Sequence, residues 1–196
     1  MLASTWFDPV IGLDIHTVLM PPVGIPTPIP MPFMGMVFDP LGMAIGLGIN
    51  CALGGTAGLV LVNGLPATNC GTGVTNLMTC PHLPAPGPFA MGLPDNDAEL
   101  LFGALDVTFA GASPVRFGEI AFSCSDPVRM PTSIVLAIPK GMPVLVMRPP
   151  APDLMGVAFA AGRAGFRQLR RFQHASDWFR NLSAKLRVQN PGRWGQ

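Results

Sequence analysis

The sequence predicts a mainly β fold of short hairpins followed by one C-terminal amphipathic helix. A strand–glycine–proline–strand pattern occurs three times, around Asn63-Gly64-Leu65-Pro66, around Gly111 to Pro114 and around Gly141 to Pro143. Glycine and proline are abundant, 23 of each in 196 residues, while hydrophobic residues reach 49%. Disorder requires low hydrophobicity, so short strands joined by tight turns account better for this composition. Past residue 165, apolar residues recur every three or four positions, the period of a helix face.

Residues 1–20 read as a short strand, Val18 to Met20, with His16 just before it. Residues 21–32 alternate proline with apolar residues and read as a polyproline-like segment lying on a surface. Leu41 to Val62 is an apolar run of about membrane-spanning length that holds six glycines and Asn50. Each glycine inside a helix costs roughly 1 kcal/mol relative to alanine, which favours strand–loop–strand. A transmembrane or chaperone-shielded helix, mainly Leu41 to Leu53, is the second reading, and residues 21–62 together form a candidate membrane- or chaperone-bound part.

Asn63-Gly64 is a strong hairpin signal, because both residues tolerate positive φ. Residues 69–98 are loop-rich, and Asp95, Asp97 and Glu99 read as a solvated turn. Residues 105–146 carry the second and third strand pairs. Pro149 to Pro152 is a hard break, which separates a domain of residues 1–150 from a tail of residues 151–196. In the tail Asp153 is a candidate N-cap. The stripe Phe166, Leu169, Phe172, Phe179, Leu182 and Leu186 is a candidate partner-binding face. Gly162 and Gly165 weaken the first turns, so the strong part is expected from Phe166, and Asn190-Pro191-Gly192 ends it.

Charged residues are only 12% of the chain, against about a quarter in soluble domains generally. A body this poor in charge covers its surface with partners or meets a membrane. Eight of the 12 basic residues lie beyond residue 160, so the tail is basic and the body nearly neutral. No aromatic–basic platform accompanies that charge, which argues against nucleic acid. Met1 to Thr5 shows no basic region before an apolar core, so no secretory signal is read there. Neither a nucleophile elbow, a phosphate loop nor a zinc-protease motif is present. The four cysteines, Cys51, Cys70, Cys80 and Cys124, are too few and too irregularly spaced for a disulfide framework.

Val62-Asn63-Gly64-Leu65-Pro66-Ala67 resembles the core motif of PAAR-repeat proteins. A longer similarity is to the N-terminal region of Rhs-family polymorphic toxins. It is carried by Phe7-Asp8-Pro9 to His16, Pro21 to Pro40, Pro81-His82-Leu83-Pro84, Phe122 to Pro127 and Pro131 to Val146. The resemblance implies a small conical PAAR-like fold that tips the VgrG spike trimer of a type VI secretion system. It further implies an Eag-type chaperone on the apolar segment and a tail that joins or plugs the Rhs β-shell of a longer polypeptide. Toxic activity would reside beyond this chain, so no enzyme is expected here. The protein would stand in the bacterial cytoplasm before export and then enter a target cell.

The resemblance also implies a structural zinc held by histidine and cysteine from successive repeats. Here His16, Cys80, His82 and Cys124 occupy the corresponding turns. Imidazole and thiolate are zinc ligands, and a closed four-ligand site is structural. Cys51 and Cys70 are spare candidates, and His174 falls in the basic helix. The competing view is that the thiols are small core residues and the histidines bond locally. Two other functions stay open: a small zinc metallohydrolase, and a membrane-translocation segment.

Overall fold

The computed structural model describes residues 1–52, 59–76, 85–91, 96–147, 149–162 and 164–166. The protein is mainly β, with a short helix towards its C-terminal side. In chain order the strands are β1 (Pro9–Met20), β2 (Ile25–Val37), β3 (Leu61–Val62), β4 (Leu65–Pro66) and β5 (Gly73–Asn76). There follow β6 (Asp97–Leu100), β7 (Phe102–Ala104), β8 (Ile120–Ser123), β9 (Met130–Val135) and β10 (Pro150–Pro152). The helix α1 spans Pro40–Ala52. The chain divides into two compact units, Met1–Ala160 and Ala161–Gln196.

Six strands of the first unit close an antiparallel barrel in the order β1-β2-β5-β6-β8-β9. The seam is β1 on β9, with Val10 opposite Val135 and Gly12 opposite Ser133. Closure leaves the sheet without open ends, and alternation along each strand fills the interior. Val10, Phe33, Val37, Val74, Leu100, Val115 and Val135 form the core with Cys70 and Cys124. Gly12 is required at the seam, since a Cβ there would overlap the backbone of Ser133.

The proline-rich stretch is a regular β-strand and not a polyproline segment. It pairs with β1 along its length, from Met20 opposite Ile25 to Pro9 opposite Met36. Pro26, Pro28, Pro30 and Pro32 are spaced by two, so all four missing donors fall on one edge. Among the described residues that edge of β2 pairs with another strand only at Gly35 to Val37, beyond the prolines. His16 accordingly lies within β1 rather than before a strand.

Two of the three expected turns close. Asn63 and Gly64 have φ of 52° and 80° and join β3 to β4, while Ala110 and Gly111 have φ of 52° and 87° between the bridged Phe109 and Ala112. The third unit does not make a hairpin. Only Ile134 and Val135 of it belong to β9, and its second half contributes a bridge from Leu145 to Leu2.

The larger correction is α1, which replaces the first strand expected in Leu41–Val62. Asp39 caps it: Oδ1 accepts the Gly42 N–H at 2.8 Å and Oδ2 accepts the Gly73 N–H at 2.8 Å. Pro40 then takes the first helical position, where its missing N–H is harmless. Two of the glycines exist for contact. A Cβ at Gly42 would overlap the Asp39 carboxylate, and one at Gly46 would come within 3.2 Å of the Phe159 ring. Among the described residues no helix is long and apolar enough to cross a membrane.

Pro150–Pro152 pairs with β7 inside the first unit. Residues 154–162 are helical, directly after Asp153 where the start was expected. Asp153 caps it as expected, accepting the Met155 N–H at 3.1 Å through Oδ1 and the Ser113 N–H at 2.7 Å through Oδ2. In the second unit residues 164–166 are helical and Phe166 is exposed. Leu169, Phe172, Phe179, Leu182 and Leu186 lie outside the described residues.

Candidate metal centre

Along β1 the even residues turn inward, which sends Asp14 and His16 into the barrel side by side, both fully buried. The connection from β8 to β9 is tied to the same stretch. The Ile15 N–H donates to Ser125 Oγ at 3.0 Å, and the Asp126 N–H donates to the Ile15 carbonyl at 2.9 Å. Those two bonds bring Cys124 and Asp126 against residues 110 positions earlier in the chain.

One donor atom each of Asp14, His16 and Cys124 fall within 4.8 Å of one another. Cys124 Sγ lies 3.5 Å from Asp14 Oδ2, and His16 Nε2 lies 3.7 Å from the same oxygen. Zinc bonds of about 2.0–2.3 Å in a tetrahedron set ligand atoms about 3.3–3.8 Å apart. Those two distances suit a small divalent ion, and the nitrogen, oxygen and sulfur donors suit zinc. On its other side His16 Nδ1 contacts Asp126 Oδ2 at 2.7 Å, and its ring meets Phe89 edge to face at 5.7 Å.

Electrostatics favour a cation. Burial pulls the His16 pKa down, but hydrogen bonds and charge from Asp14 and Asp126 outweigh it and raise it above the ordinary value. Burial, then the charge of Asp14, pushes the Cys124 thiol well up. A thiol held protonated is a poor nucleophile. A bound dication inverts this, since it replaces protons at thiol and imidazole.

Of the residues expected as ligands, His16 and Cys124 come together, while Cys80 and His82 lie outside the described residues. Cys70 is buried in the core, where burial raises its thiol pKa, and Cys51 is exposed. His174 also lies outside the described residues. Sequence reasoning missed Asp14 and Asp126. An Asp-x-His pair on an alternating strand was the available signal for Asp14. Asp97 and Glu99 are not a solvated turn: both sit on β6 beside Arg129, at 2.7 Å and 3.9 Å from its guanidinium.

Compared with protein-family models, curated proteins and solved structures, the chain has no match.

Proposed function

We propose that this chain is a non-enzymatic spike-tip and adaptor module of an Rhs effector. It docks on the VgrG trimer of a type VI secretion system and carries the Rhs-enclosed toxin behind it. The observation that carries this proposal is an apolar row on the outside of the barrel. Met34, Ile11, Ile134 and Ile120 are successive partners across β2, β1, β9 and β8. All four are exposed, as is Leu13 beside them. An in-register apolar row on a low-charge body marks an interaction face.

The proposed zinc pins the barrel from within, through Asp14, His16 and Cys124, with the fourth ligand from Cys80 or His82. The attachment of the following segment to β1 supports that assignment. Pro88 to Ala90 bond to β1 at Thr17 and Leu19, through Leu19 N–H to Pro88 O at 2.8 Å and Ala90 N–H to Thr17 O at 2.8 Å. Pro88 lies six positions after His82, a span of at most about 20 Å when extended. When bound, the metal supplies a structural cross-link. The residues of this chain position it, neutralise its charge and shield it from water.

Capture of the full chain by its cognate spike protein tests the docking role. Complex formation that is abolished by Ile11→Lys with Ile134→Lys is the expected result. Failure of the folded parent to bind the spike refutes it.

A further inference from the structure

The geometry points to Asp126 as the positioning residue of this centre: it holds the His16 ring so that Nε2 faces Asp14 and Cys124. The inference rests on the metal assignment above and deepens it.

An imidazole has two nitrogens, and either can ligate. A carboxylate oxygen only accepts, so the 2.7 Å contact between Asp126 Oδ2 and His16 Nδ1 places the proton on Nδ1. In the neutral ring the lone pair is then on Nε2. That nitrogen is the one 3.7 Å from Asp14 Oδ2, the oxygen that Cys124 Sγ also approaches. Asp126 thus stands behind the ring, on the side away from the three donors.

Asp126 is itself anchored. Its N–H donates to the Ile15 carbonyl, and Ser125 Oγ accepts the Ile15 N–H, so Ser125 and Asp126 are both tied to β1 at the residue before His16. The Asp126 side chain is 20% exposed, whereas those of Asp14 and His16 are at 0%. It borders a cleft lined by Cys124, Ser125, Asp126, Pro127 and Arg129. Phe89 packs on the ring edge to face, which limits rotation. An anchored carboxylate behind a ligating histidine sets ring orientation and tautomer and strengthens the ligand.

The test uses the full chain stripped of metal and titrated with zinc against a competing chelator, with imidazole nitrogen shifts recorded by NMR. Asp126→Ala is expected to weaken zinc binding by about 10–100-fold and to let both His16 tautomers appear. Asp126→Asn, whose amide oxygen still accepts the Nδ1 proton, is expected to recover most of the affinity. In the zinc-loaded parent the proton stays on Nδ1 and the metal shifts Nε2. Unchanged affinity with a single tautomer in Asp126→Ala overturns the positioning role and leaves the metal centre standing. Zinc on Nδ1 in the parent overturns it without reference to any variant. A folded parent that binds no zinc at all removes the metal assignment and this inference together.

Discussion

Replacing Asp39 by alanine probes the element on which sequence and structure disagree. The Asp39 side chain is buried and ties two segments, capping α1 at Gly42 and holding the start of β5 at Gly73. Loss of an N-cap costs about 1 kcal/mol. The Gly73 N–H would then lack its acceptor, and a buried unsatisfied donor costs about 1–3 kcal/mol. The sum is about 2–4 kcal/mol. At roughly 2–4 °C per kcal/mol for a domain of this size, Tm falls by about 4–16 °C. Urea unfolding followed by far-ultraviolet circular dichroism measures it. A companion variant reverses the usual sign. Gly42→Ala would gain up to about 1 kcal/mol from helix propensity alone, yet the new Cβ overlaps the Asp39 carboxylate, so destabilisation is expected. An Asp39→Ala change within 0.5 kcal/mol of the parent, or a Gly42→Ala variant more stable than the parent, refutes the capped helix.

Four further outcomes are expected. Gly12→Val forces β1 from β9 at the seam and should destabilise the barrel by about 2–3 kcal/mol in urea unfolding, whereas Leu13→Val, on the exposed face, should change little. Zinc at 100 times its Kd should stabilise the metal-free protein by about 2.7 kcal/mol, and His16→Ala or Cys124→Ser should abolish that gain in calorimetry. In the metal-free protein the folded His16 pKa lies above 6.5, so its contribution is fully present below pH 6.5 and lost as pH rises through the folded pKa. A pH series of urea midpoints on the parent and on His16→Gln checks this, since the variant should lack that decline. Ile11→Lys and Ile134→Lys, on the outer face, should each shift stability by less than about 0.5 kcal/mol while removing spike capture.

Much of this was local and therefore legible in the chain. Asn63-Gly64 announces a hairpin because few residue pairs accept positive φ, and the turn forms as its residues demand. Asp153 before an apolar stretch announces a helix start for the same kind of reason: the first N–H groups need an acceptor. The proline alternation spells an extended segment lying on a surface, and that surface is β1, with which it pairs as a strand. Asp39-Pro40 is an equally local helix signal that the reading of Leu41–Val62 did not use, having rested on the cost of its glycines. In α1 the penalty is offset, because Gly42 admits a carboxylate and Gly46 admits the Phe159 ring.

Strand alternation, the two turns that close and both helix caps follow from neighbouring residues alone, because each depends on φ preference or hydrogen bonding within a few positions. The barrel closure, the inward face shared by Asp14 and His16, and the arrival of Cys124 and Asp126 beside them were decided only by tertiary structure. Each requires two strands remote in sequence to meet in a particular register, and no interaction short in sequence specifies that register.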